Sequence, residues 1–182
     1  VFNTAIQQHS AASVSDVIAS HVSELHRLLP TVSHLCRKLA SYPIKQTLVQ
    51  CDFHDNNILI DDTLQTLTFI DLGEIVISHP FFSLVGCLRQ AKTHHALTEG
   101  DAAYQQLRQA CLNNFMHLGT DAELTEAFSV AGILWFMYEA LAQYRLRNAC
   151  DQARFLSFQR QGKLSGALND FITACKQFNN PS

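Results

Sequence analysis

Near residue 47 the apolar pattern of this chain changes period, and it changes back at about residue 80. On either side, apolar residues recur three or four positions apart, the spacing of a helix with one buried stripe. In between they form short unbroken runs. Thr47-Leu48-Val49, Ile58-Leu59-Ile60 and Leu67-Thr68-Phe69-Ile70 are each long enough for one small strand. Asp61-Asp62 supplies turn chemistry between the last two, which predicts a hairpin. The polar segment from Gln50 to Asn57 is then a loop held between apolar anchors, an arrangement that presents reactive side chains on a rigid frame.

The flanks read as helices. Ser13 or Ser15 can cap one that runs to about Leu29, with Val14, Ile18, Val22, Leu25 and Leu29 on one face. Pro30 and Thr31 restart the pattern in a second helix carrying Val32, Leu35, Cys36 and Leu39, which Ser41-Tyr42-Pro43 ends. Pro80 suits the first position of a helix that turns Phe81, Leu84, Val85 and Leu88 inward. Asp101 can cap the next, and Thr120 or Asp121 the long apolar helix through Tyr144. Two shorter helices are expected at about 151–160 and 164–177. The layout, about six or seven helices around two to four short strands, is one largely α-helical lobe whose central loops are the chemical candidates.

Composition narrows the function classes. At 182 residues the chain fits one domain or one lobe of a larger protein. Charged residues make up 16%, against roughly 25% in an average domain, so part of its apolar face is expected to lie against another lobe or subunit. Thirteen basic and sixteen acidic residues give a net charge of −3, with no basic cluster, which argues against nucleic acid or anionic lipid as a partner. Six cysteines without a CxxC pair remove the usual zinc-finger and thioredoxin signals. Free thiols in a reducing compartment, and hence a cytoplasmic location, are expected. There is no run of 18 apolar residues and no signal-like start; FSVAGILWFMYEAL is interrupted by Glu139 and reads as a buried helix rather than a membrane span. A chain that opens on Val1 is expected to be the later part of something longer.

The segment Gln50-Cys51-Asp52-Phe53-His54-Asp55-Asn56-Asn57 is dense in groups that accept protons or bind a hard cation. A further acid, Asp71, follows Phe69-Ile70 and precedes Leu72-Gly73-Glu74, so the hairpin can return it toward the loop that begins at Asp52. Oxygen donors from Asn57 and Asp71 suit Mg²⁺ held together with substrate phosphates. Asp52, left off the metal, can orient an attacking hydroxyl and take its proton. By spacing alone these acids read equally well as ordinary loop and turn residues, and that alternative stays open at this point.

CDFHDNNILI followed by FIDLGE resembles the catalytic and metal-binding segments of the aminoglycoside phosphotransferase and choline kinase superfamily, small-molecule kinases with a protein-kinase-like fold. The family pattern H-G-D-x-H-x-x-N-I-L places Asp52 on the catalytic aspartate, His54 on the second motif histidine and Asn57 on a magnesium ligand. Asp71 matches the other magnesium ligand, the counterpart of the aspartate in the D-F-G segment. Ser78-His79-Pro80-Phe81-Phe82-Ser83-Leu84 resembles the segment that opens the family's next helix. The resemblance implies that residues 1–182 are the C-terminal helical lobe of such a kinase, with its working loops at 50–57 and 69–74. It implies transfer of the γ-phosphoryl group of ATP, with Mg²⁺, to a hydroxyl of a small molecule, and leans toward an amine-bearing acceptor. Gln50, His54, Glu74 and His79 are candidates for supporting roles.

The sequence departs from the pattern at three places. Gln50 stands for the first histidine, Cys51 for the adjacent glycine, and Ser83 for a common structural aspartate. These departures stand beside the absence of a glycine-rich turn and of a strand lysine to orient ATP, from which the nucleotide lobe is expected to be a partner missing from this chain. They support a second reading, a catalytically degenerate kinase-like interaction or regulatory protein. His94-His95 reads as a helix-end pair without zinc spacing. Trp135, Phe136 and Tyr138 read as core rather than as an aromatic box, and Glu126 and Glu139 read equally as solvent-facing acids or, as the resemblance implies, as acids that face a cationic acceptor.

Overall fold

The structure is a computed structural model that describes residues 16–50, 52–63, 65–149 and 162–179. Its elements in chain order are helix α1 (Asp16–Ser41), strand β1 (Thr47–Gln50), a 3-10 turn (Asp55–Asn57), strands β2 (Ile58–Asp61) and β3 (Thr66–Phe69), a second 3-10 turn (Leu72–Glu74), strand β4 (Ile75–Ser78), and helices α2 (Phe81–His94), α3 (Ala102–Asn113), α4 (Asp121–Ala149) and α5 (Lys163–Asn179). The fold is mostly α-helical with a small antiparallel β region. Ser13, Ser15 and the helix expected at 151–160 lie outside the described residues.

Two expectations about elements are corrected. The first two helices are one, with Pro30 inside it. Proline in a helix interior costs about 3 kcal/mol, but the apolar stripe continues across it, and burial of Leu25, Leu35 and Leu39 outweighs that cost. Ile75–Ser78 forms a strand that the sequence pattern left unassigned; it pairs with β1 antiparallel, Thr47 opposite Ser78 and Gln50 opposite Ile75.

The chain divides into two compact units, each described by itself. The first comprises residues Val1–Arg37 with Ile133–Ser182. Its core is built on α5, whose Leu164, Ala167, Leu168, Phe171, Ile172 and Cys175 are buried with Leu25, Met137 and Ala140. That one-sided pattern explains why the segment is helical, and Lys176 adds an ion pair to Glu24 at 2.8 Å. Phe136 packs against the same cluster and its ring meets Trp135 edge-on at 5.9 Å, so these aromatics serve packing.

The second unit, Lys38–Gly132, carries the strands and loops. Phe81, fully buried, meets Phe115 and Phe128 edge-on at 4.9 and 5.2 Å. Val49, Val85, Leu88, Leu112 and Leu124 are buried in the same unit. Thr120 and Glu123 form a reciprocal capping box at the start of α4: the Thr120 amide donates to Glu123 Oε2 at 2.8 Å and the Glu123 amide to Thr120 Oγ1 at 3.3 Å. Asp101 precedes α3, but its carboxylate faces backward and accepts from the Thr98 amide and hydroxyl instead of capping the helix. Between Asp121 and Arg145, α4 is long and apolar enough by length and composition to cross a bilayer. Here its buried residues recur every three or four positions, as in a core helix.

The β region holds the loops with little burial. β2 pairs only with β3, Ile58 opposite Phe69 and Ile60 opposite Leu67, which puts four apolar side chains on one face. Ile60 is 69% exposed, and the cross-strand pair Leu48 and Ile77 on the other ribbon is 70% and 73% exposed. The low charge content of the chain thus has a structural counterpart in uncovered apolar strands.

Candidate active site

Asp52, His54 and Asn57 form one hydrogen-bonded group. The 3-10 turn closes through the Asn57 amide, which donates to the His54 carbonyl at 3.0 Å. This curls the Asn57 side chain back over the start of the loop, where Nδ2 donates to the Asp52 carbonyl at 2.9 Å and lies 3.5 Å from Asp52 Oδ2. His54 Nε2 sits 3.3 Å from Asp52 Oδ1 and 3.3 Å from Asn57 Nδ2. One nitrogen cannot serve both as donor and acceptor. With the proton on Nε2 the ring donates to Asp52, and among the described residues Nδ1 then has no hydrogen-bond partner, Asp55 Oδ1 lying 3.9 Å away. The Asp52 side chain remains half exposed, with Oδ1 held by His54 and Oδ2 met only by the long 3.5 Å contact from Asn57.

Asp71 reaches this group through the backbone. The Ile70 amide donates to the Asn57 carbonyl at 3.0 Å, extending the β2–β3 pairing by one bond past Phe69. The next residue, Asp71, adopts a left-handed conformation with φ of 55°, which aspartate and asparagine tolerate better than other residues that carry a Cβ. Its exposed side chain therefore leaves the strand direction as the second 3-10 turn begins.

Gln50 and Ser83, two of the departures from the family pattern, occupy a relay beneath these loops. The Ser83 hydroxyl donates to the Gln50 carbonyl at 2.9 Å, and the Gln50 side-chain amide donates to the Asp71 carbonyl. A single glutamine thus ties β1 to the turn that carries Asp71, a neutral link where a histidine could have been charged. Cys51 lies outside the described residues, and Glu74 closes the second turn.

His79 is placed at the start of α2. It is buried, its Nδ1 accepts from the Phe81 amide at 3.3 Å, and its ring stands edge-on to Phe81 at 4.9 Å. It caps α2, with Pro80 at the N-cap position rather than inside the helix. Burial holds its pKa down at about 4, so the imidazole is neutral.

The sequence pattern missed one group. Asp55 accepts from His94 Nδ1 at 2.7 Å and from His95 Nε2 at 3.0 Å, and these contacts hold its carboxyl below the usual range. No local signal joins residues so far apart in sequence. Glu126, read as a possible acid for a cationic acceptor, is already engaged by Lys38 and by the Tyr42 hydroxyl at 2.6 Å. Burial and Glu126 push Tyr42 up to about 12.

A cavity of about 920 Å³ opens beside the loops, with Gln50, Phe53, Asn57, Phe69, Leu72 and Ser83 in its wall. Among the described residues its lining is uncharged. Among the described residues no group of three or more His, Cys, Asp or Glu could hold a metal ion by itself. Cys36, Cys87, Cys111 and Cys175 are free thiols.

No family model matches the chain, and no curated protein sequence is similar to it. Solved structures are. An ethanolamine kinase from Plasmodium vivax superposes with a TM-score of 0.61 over 96% of this chain, at 12% identity. The chain spans 46% of that structure, less than half its length. At this identity the likeness is one of fold, to part of that structure.

Proposed function

We propose that this chain carries the catalytic and metal-binding loops of an ATP-dependent phosphotransferase that acts on a hydroxyl of a small molecule. The observation that carries the reading is the Asp52–His54–Asn57 group, joined through Asn57 and Ile70 to Asp71. The fold likeness to a small-molecule kinase supports it.

The donors suit Mg²⁺. Asn57 commits Nδ2 to Asp52, which leaves its amide oxygen for a cation, and Asp71 offers an exposed carboxylate. Two hard oxygen ligands from the protein, completed by phosphate oxygens, are usual for magnesium–nucleotide sites, and such a site needs no three-residue cluster. Bound there, the metal would neutralise charge developing on the phosphates. Asp52, fixed by His54 on one oxygen, would accept the proton of the attacking hydroxyl on the other. Gln50 would hold the Asp71 turn against β1. The acceptor in this reading is a small hydroxyl compound.

In the longest natural form of the protein, Asp52→Ala should lower turnover by about 10²-fold or more. Unchanged turnover removes Asp52 from the mechanism. Calorimetry separates the enzyme from a kinase-like interaction module: magnesium-dependent ATP binding that Asp71→Ala weakens supports the first, and no ATP binding with or without magnesium supports the second.

A further inference from the structure

We propose that His94 and His95 are positioning residues that order the Asp52–Asn57 loop by clamping Asp55 from the C-terminal end of α2. The catalytic consequence rests on the phosphotransferase reading; the ordering of the loop does not.

Adjacent residues on a helix point in different directions, and these two converge because the helix ends between them. His94 is the last helical residue, whereas His95 has already left helical geometry at φ of −112° and ψ of 12°. The Leu97 amide returns to the Lys92 carbonyl at 3.0 Å and Ala96 turns left-handed at φ of 51°, a closure that fixes the backbone on which both imidazoles are mounted. One ring then uses its near nitrogen and the other its far nitrogen, and each takes a different oxygen of the same carboxylate. The Asn56 amide also meets Asp55 Oδ1, at 3.1 Å. Further contact comes from the His54 ring, edge-on to His94 at 5.8 Å, and from α2, which packs against the 3-10 turn.

The exposure of the cluster argues for a local role. His95 and Asp55 are 58% and 43% exposed in their side chains, and pairs so open to water contribute little to global stability. Asp55, however, is the first residue of the turn whose last residue, Asn57, binds Asp52. A clamp there acts on the geometry of two functional side chains more than on the fold.

The test replaces the donors. Hydrogen exchange on this chain should show the Asn57 and Ile58 amides, which close the turn, exchanging about fivefold faster or more in His94→Leu/His95→Leu. His94→Asn/His95→Gln keeps a donor near each original nitrogen and should retain protection, while the Val85 and Leu88 amides of α2 stay unchanged in both. Unchanged protection in the leucine pair, equal loss in both pairs, or a parallel loss at Val85 and Leu88 overturns the proposal. In the longest natural form, the leucine pair should lower kcat about tenfold with KM unmoved, and should add nothing to Asp55→Ala. Full kcat in the leucine pair while Asp52→Ala is inactive sinks the positioning role alone. Absence of any phosphoryl transfer by the wild type sinks the phosphotransferase reading, and the exchange experiment still decides the clamp.

Discussion

The side-chain amide of Gln50 donates to the backbone carbonyl of Asp71, so Gln50 fastens the turn carrying the proposed second metal ligand. Gln50→Ala removes that donor and leaves the Ser83 bond to the Gln50 carbonyl in place. Urea unfolding should show a loss of about 1 kcal/mol, the usual net value of one hydrogen bond, and Gln50→His should recover part of it. Equal midpoints for wild type and Gln50→Ala would show that the link contributes nothing.

Ala96 occupies a left-handed position where glycine has no steric penalty. Ala96→Gly is expected to raise stability by about 0.5–1 kcal/mol, read as a higher thermal midpoint. A lower midpoint would mean that unfolded-state entropy outweighs relief at this residue.

His79 gives the chain an acid-sensitive joint. Its pKa is lowered from 6.5 to about 4 in the folded state, so between those values the unfolded chain binds the proton and the native one does not. The contribution is therefore complete above pH 6.5 and lost as pH falls toward 4, up to about 3 kcal/mol. Stability measured against pH should fall across that window, and His79→Gln should flatten the fall. An identical slope in the variant assigns the acid limb to other groups.

Phe81 anchors the second unit through two edge-on aromatic contacts at full burial. Phe81→Ala should cost about 3–5 kcal/mol, and Phe81→Leu much less, because leucine refills most of the volume. Similar losses for both would point to the ring geometry rather than the filled volume as the source of the stabilisation.

What the sequence made readable was local. Thr47-Leu48-Val49, Ile58-Leu59-Ile60 and Leu67-Thr68-Phe69-Ile70 are short, mostly apolar runs, and all three fall in strands, the last ending one residue early at Phe69. The capping box at Thr120 is likewise spelled out within four residues. What stayed hidden depends on distant partners. Ile75-Val76-Ile77 becomes a strand by pairing with Leu48 and Val49 across the intervening loops, and Pro30 stays within a helix because of what its neighbours bury. Asp101 looks like a cap by position, yet Thr98 offers its carboxylate two donors on the other side. Of the site, the motif spacing marked Asp52, Asn57 and Asp71, but no period could bring His94 and His95 to Asp55.

Among the described residues each ribbon has two strands, so every strand keeps one edge without a strand partner. Those edges belong to segments rich in isoleucine, leucine and phenylalanine, with apolar side chains turned outward beside them. Such edges recruit further strands, and a solution of this chain by itself carries templates for intermolecular β-pairing at β3 and β4. A lysine in place of Ile77 or Leu67 would act as a gatekeeper there, suppressing edge-to-edge association by charge repulsion before any globular contact is disturbed.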